Sequence, residues 1–89
     1  MIKHYTAKVW NAKVKYPPFR AIQWNGTKEC RKIIEKTTGM STNSFGLEGK
    51  QLWLGSRVIT YNDFLVFNLN GGHTVWPAKE FLKEYKEVT

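Results

Sequence analysis

Phe64-Leu65-Val66-Phe67-Asn68-Leu69, then Asn70-Gly71-Gly72, then His73-Thr74-Val75-Trp76 follow one another directly, and this succession decides the fold. The first stretch opens with the longest strongly apolar run of the chain and reads as a buried strand, entered through a turn at Tyr61-Asn62-Asp63. The Asn-Gly-Gly segment is hairpin chemistry, so His73 to Trp76 returns as a second strand. Pro77 suits the first position of a closing helix, Ala78 to Tyr85, whose inner face is expected to carry Phe81, Leu82 and Tyr85.

Working back from the hairpin, Arg57 to Thr60 follows a Gly55-Ser56 turn, and Gln51 to Leu54 is expected to pair antiparallel with a short strand begun by Phe45 and Leu47. Glu48-Gly49 turns between those two, and Ser41-Thr42-Asn43-Ser44 reads as a loop. Thr27 caps a helix over Lys28 to Thr38, with Cys30, Ile33, Ile34 and Thr37 on one face and Gly39 as a left-handed stop. Asn25-Gly26 turns the chain into that cap. Phe19 to Trp24 is extended, with Arg20, Ile22 and Trp24 on one side and Phe19, Ala21 and Gln23 on the other. Tyr5 to Tyr16 alternates as one strand or a pair of short strands, ended by Pro17-Pro18. No internal repeat and no low-complexity tract interrupts the pattern. The elements add up to an α+β fold: a small antiparallel sheet of about five or six short strands, flat or curled into a partly open barrel, packed on one main helix with a short C-terminal helix.

A chain of 89 residues is one domain, residues 1–89, because a second core needs far more chain. Hydrophobic residues at 42% and aromatic residues at 15% fill a small core, which excludes a wholly disordered chain. Fourteen Lys and Arg against seven Asp and Glu give a net charge of +7, and the excess is uneven. Lys3, Lys8, Lys13, Lys15, Arg20 and Lys28 occupy the first 28 residues without one acidic residue, whereas basic and acidic residues nearly balance from Glu29 onward. An acid-free basic stretch in a small aromatic-rich protein points to an anionic partner. The single cysteine, Cys30, cannot form an internal disulfide, and Met1-Ile2-Lys3-His4-Tyr5-Thr6 lacks the apolar run of a signal peptide. The expectation is a cytoplasmic protein that neither spans a membrane nor leaves by that route.

Catalytic chemistry is thinly represented. His4 and His73 are the near-neutral bases, and Ser41, Ser44 and Ser56 sit in no nucleophile-elbow context. Cys30 lies on the apolar helix face, where a cysteine is a small hydrophobe rather than a reactive thiolate. One Cys and two distant His show no zinc-site spacing, so neither a metal nor a cofactor is implied. Glu29, Glu35, Glu80, Glu84 and Glu87 read as helix-face charges beside Lys or Arg. Gly71-Gly72-His73 reads as a turn rather than a phosphate cradle, and Asn25-Gly26-Thr27 as turn and cap rather than a glycosylation acceptor.

What remains is aromatic and basic residues interleaved: Tyr5, Trp10, Tyr16, Phe19 and Trp24 among Lys3, Lys8, Lys13, Lys15 and Arg20. Aromatic faces hold bases while Lys and Arg neutralise phosphate, so the pattern suits nucleotides or nucleic acid. The same aromatics are also what a small core needs, and scattered lysines keep a protein soluble. For a binding role the candidate residues are Lys8, Trp10, Lys13, Lys15 and Arg20.

Two stretches resemble a widespread family of small bacteriophage and prophage proteins. Ala21-Ile22-Gln23-Trp24-Asn25-Gly26 is similar to the family's front motif, where a basic strand ends in an Ala, Ile or Val, Gln, Trp pattern. At the other end Asn62-Asp63-Phe64-Leu65-Val66, Gly71-Gly72, Trp76-Pro77, Lys79 and Phe81 with Tyr85 resemble its Gly-Asp-aromatic, glycine turn, aromatic-Pro and Phe-x-x-x-Tyr positions. Asn62 stands where that family has glycine, Ala78 where cysteine is frequent, the step from Lys79 to Phe81 is shortened, and Thr27 to Thr60 is unmatched. The shared positions are structural in character: a turn, a strand break and a helix clamp. The resemblance implies a phage origin and a place in the host cytoplasm, and assigns no activity. A small accessory phage protein of this kind is expected to act without catalysis, countering a host or defence function by binding an acidic protein face or a nucleotide-type ligand. The alternative is a sequence-tolerant DNA- or RNA-binding protein. A homodimer is a further expectation, since a short chain with four Trp and exposed strand edges gains burial by pairing.

Overall fold

The computed structural model describes residues 2–8, 19–46, 50–68 and 70–88. Among them are eight strands and two helices. In chain order they are β1 (Lys3–Ala7), β2 (Phe19–Gln23), α1 (Lys28–Thr38), β3 (Thr42–Phe45), β4 (Gln51–Leu54), β5 (Arg57–Ile59), β6 (Phe64–Phe67), β7 (His73–Trp76), α2 (Ala78–Glu84) and β8 (Tyr85–Glu87). The fold is α+β as expected, with the strands in two antiparallel sheets: one ordered β7-β6-β2-β1-β8, the other β3-β4-β5. The larger sheet ends at β7 and β8 and is not closed into a barrel. No helix among the described residues is long and apolar enough to cross a membrane.

All four residues of β6 are buried, because both faces of the large sheet are covered. Alternation sends Leu65 and Phe67 to one side, where they meet Ile22, Trp24, Cys30, Ile34 and the inward Leu52, Leu54 and Ile59 of the small sheet. Phe64 and Val66 turn the other way and meet Tyr5, Ala21 and Phe81. Ala21 and Ile22 are both fully buried, one in each core. The sheet is therefore the middle layer, with α1 and the small sheet on one face and α2 on the other.

Helix α1 begins and ends as its sequence dictates. The Thr27 hydroxyl accepts the Cys30 N–H at 3.2 Å, and Asn25 Oδ1 accepts both the Thr27 N–H at 3.1 Å and its hydroxyl at 2.7 Å. Gly39 takes φ 70° and gives its N–H to the Glu35 carbonyl at 2.9 Å, the left-handed stop that favours glycine. The turn before β6 also enters the left-handed region, at Asn62 with φ 74°, and asparagine is among the few side chains that tolerate it.

Several elements differ from the sequence reading. Thr42 to Ser44 is strand rather than loop. Its polar residues pair in register with Leu54, Trp53 and Leu52, and α1 secures Thr42: Glu35 Oε2 accepts its N–H at 3.2 Å while Arg31 Nε donates to its hydroxyl at 2.8 Å. Tertiary contacts thus override a weak strand propensity. Helix α2 stops at Glu84, and Tyr85 opens β8, which pairs with β1 through Ala7 and packs its ring at 5.0 Å from Phe19 and 5.7 Å from Trp76. Glu87 consequently lies on a strand, where it meets Lys3 at 3.0 Å. Leu82 faces solvent; a helix of seven residues turns one narrow face inward, and Phe81 fills it. Strand β6 ends at Phe67. Val9 to Pro18, Leu47 to Gly49 and Leu69 lie outside the described residues.

The contrast between neighbours in α2 is directly testable. Phe81→Ala empties a fully buried site and is expected to cost about 3–5 kcal/mol, whereas Leu82→Ala should stay within about 0.5 kcal/mol of wild type in urea unfolding.

Candidate functional site

Of the five residues proposed from sequence for binding, Trp10, Lys13 and Lys15 lie outside the described residues. Lys8 and Arg20 are described, and both are exposed. Lys8 follows β1, and its backbone N–H donates to the Glu84 carbonyl at 2.9 Å, joining the end of β1 to the end of α2. Arg20 sits in β2 directly between His4 of β1 and Phe67 of β6, and Phe67 in turn opposes His73 of β7. Cross-strand partners share a face, so His4, Arg20, Phe67 and His73 form one row across four strands. The Arg20 guanidinium carbon lies 5.7 Å from the Phe67 ring centroid, a cation–π arrangement. One step further along β1, on the same face, Thr6 opposes Lys86 of β8. The α1 layer covers the Ile22 and Leu65 end of this face, leaving the Arg20 end as its polar, cationic margin.

Arg57 of the small sheet completes the row. Its Nη1 donates to the His73 carbonyl and lies 3.3 Å from His73 Nδ1. The Asn68 N–H bonds to the Gly72 carbonyl at 2.8 Å, so by the antiparallel alternation the next pair, Phe67 and His73, does not exchange ladder bonds. The His73 carbonyl therefore points off the outer edge of β7, where Arg57 covers it. Burial, and secondarily the Arg57 charge, lowers the His73 pKa from its ordinary 6.5. A neutral imidazole that accepts Arg57 at Nδ1 carries its proton on Nε2.

The other chemically distinctive groups are occupied structurally. Cys30 is 2% exposed, its thiol donates to the Gln23 carbonyl at 3.4 Å, and burial raises its pKa above the ordinary thiol value. Among the described residues no group of three or more His, Cys, Asp or Glu is placed to hold a metal ion. Asn70-Gly71-Gly72 is a turn: Gly71 has φ 89°, and its N–H bonds to the Asn68 carbonyl at 3.1 Å. The arrangement offers a planar guanidinium fork over an aromatic ring, flanked by imidazoles and a second guanidinium, which is chemistry for holding phosphate or carboxylate.

Sequence reasoning identified Arg20 but read Arg57 only as part of a strand. Its partner is 16 residues away on another sheet, and nothing local announces the contact. A second residue was more accessible. In Gln51-Leu52-Trp53-Leu54 the strict alternation puts Trp53 opposite the two leucines, and Trp53 is indeed 40% exposed.

No family model, curated protein or solved structure matches the chain.

The state of His73 has a measurable consequence. Its lowered pKa lets the unfolded chain take up the proton first, so the His73 contribution to stability is complete above pH 6.5 and declines as the pH falls below it. By NMR the His73 ring should titrate below 6.5, and Arg57→Gln, which removes a positive charge, should move that midpoint upward. Cys30 should resist a thiol reagent in the native protein and react on unfolding.

Proposed function

We propose that this protein is a non-enzymatic binding module that takes an anionic partner on the α1-side face of its large sheet, at the end marked by His4, Arg20, Phe67 and His73. The observation that carries this reading is the row itself. Four strands hold these side chains in register, Arg20 lies over Phe67, Arg57 closes one end, and every ionisable side chain in the row is basic. Lys86, opposite Thr6, extends the positive charge onto β8. Binding rather than turnover is supported by the state of the reactive groups: the Cys30 thiol is buried, and His73 is engaged by Arg57.

The likeness of both chain ends to small bacteriophage proteins supports reading the module as a phage accessory protein. In that role it counters a host or defence function in the host cytoplasm by occupying an acidic protein face or a nucleotide-type ligand. Nucleic acid is the second reading, favoured by Trp53 on the small sheet, which is 40% exposed and stacks on the half-buried Phe45.

Elution from heparin tests the placement of the site. Arg20→Glu and Lys28→Glu change the net charge equally, but Lys28 opens α1, away from the row. Arg20→Glu should elute at distinctly lower salt than wild type, with Lys28→Glu remaining close to it. Equal displacement of the two variants would mean that charge is spread over the surface and the row is not the site.

A further inference from the structure

The chain contains two Asn-Gly pairs, Asn25-Gly26 and Asn70-Gly71, each exposed at a bend of the backbone. As sequence they are alike, since glycine has no side chain to keep the asparagine carboxamide away from the peptide nitrogen that follows it. The fold treats them differently. Asn25 Oδ1 accepts two hydrogen bonds, from the Thr27 N–H at 3.1 Å and from the Thr27 hydroxyl at 2.7 Å. That hydroxyl is itself held in place, because it accepts the Cys30 N–H at 3.2 Å. The Gly26 N–H has no acceptor among the described residues. At the other pair, Asn70 Oδ1 accepts a single bond among the described residues, from the Gly72 N–H at 3.1 Å. There the Gly71 N–H is committed to the Asn68 carbonyl, also at 3.1 Å.

We propose that Asn25-Gly26 is a site of self-modification, at which the folded chain converts Asn25 to aspartate and isoaspartate in preference to Asn70. The Gly26 nitrogen, having lost its proton to solvent hydroxide, bonds to Asn25 Cγ, and the carbonyl electron pair moves onto Oδ1. Two donors already surround that oxygen, at 2.7 and 3.1 Å, the arrangement that stabilises an oxyanion as it forms. The electron pair then returns, the bond from Cγ to Nδ2 breaks, and the amide nitrogen takes a proton from water and leaves as ammonia. The product is a cyclic succinimide. Water opens it in two ways: cleavage at Cγ gives aspartate, and cleavage at the main-chain carbonyl gives isoaspartate. Either product places a carboxylate beside the start of α1, and isoaspartate also adds a methylene to the main chain between Trp24 and the helix cap. At Asn70 the same attack must first break the Gly71 bond to the Asn68 carbonyl, and one donor rather than two receives the developing charge.

Peptide mapping by mass spectrometry, with isoaspartate located by enzymatic carboxyl methylation, tests the proposal on protein incubated in mildly alkaline buffer. In the native protein Asn25 should convert about tenfold or more faster than Asn70, a conservative figure for a difference of one oxyanion donor. In urea, where only the Asn-Gly sequence remains, the two rates should become alike. Thr27→Val keeps the backbone donor and removes the hydroxyl, so it should slow Asn25 by about tenfold or more in the folded protein, while Thr27→Ser should stay close to wild type. Equal native rates, or faster conversion of Asn70, overturn the proposal. So does a difference that persists in urea, since it then owes nothing to the fold. Unchanged or faster conversion of Asn25 in Thr27→Val overturns the oxyanion role, the faster rate showing that the two hydrogen bonds restrain the carboxamide instead.

Discussion

Trp24 is the residue on which the two sheets depend. Its indole is 1% exposed, packed among Cys30, Ile34, Leu52, Leu54 and Ile59, and its ring N–H donates to the Lys50 carbonyl at 2.6 Å. Its backbone is fixed as well: the N–H bonds to the Asp63 carbonyl at 2.9 Å and the carbonyl accepts the Asn62 N–H at 2.8 Å. One residue thus ties the end of β2 to the entry of β4 and to the turn that launches β6. A buried indole N–H left without an acceptor costs about 1–3 kcal/mol, so the Lys50 carbonyl must stay where Trp24 needs it. That requirement seats the small sheet on the α1 side and fixes which of its faces turns outward.

The other core is held by ring geometry. Phe81 stacks on Phe64 at 4.2 Å and meets Tyr5 edge-on at 5.0 Å, while Tyr85 meets Phe19 and Trp76 edge-on. Such offset and perpendicular contacts satisfy the ring quadrupoles and restrict the packing to few alternatives. A seven-residue helix is too short to persist alone, so α2 exists because Phe81 is anchored among these rings. The same anchoring delivers Tyr85 to the edge of β1 and starts β8.

These two cores explain what was legible in the sequence. Helix α1 could be read to its terminal residues because Thr27 and Gly39 carry their own local instructions, and β7 because a glycine turn precedes it and Pro77 ends it. Strands β3 and β8 could not, since Thr42-Asn43-Ser44 and Lys86-Glu87 have little strand character and become strands through partners far along the chain. The site divides in the same way. Arg20 stood out by composition and alternation, whereas Trp53 was not singled out, although the leucines on either side of it carry the signal of its outward direction. Pairing Arg20 with Phe67 and Arg57 with His73 needed the sheet order β7-β6-β2 and the placement of one sheet against the other, which no local pattern encodes.

The Arg57 contact with the His73 carbonyl also bears on how the protein behaves in a crowd. An outer strand with free carbonyls and amides is a template for lateral growth, and β7 carries no charged residue of its own to discourage a newcomer. By filling the outward carbonyl at His73 with a guanidinium, the small sheet puts a charged, sterically demanding group where the first hydrogen bond of an added strand would form. On β3 the Arg31 and Glu35 side chains of α1 do the same for the backbone of Thr42. At His73 of β7 and Thr42 of β3 the backbone groups that would seed an added strand are in this way already taken.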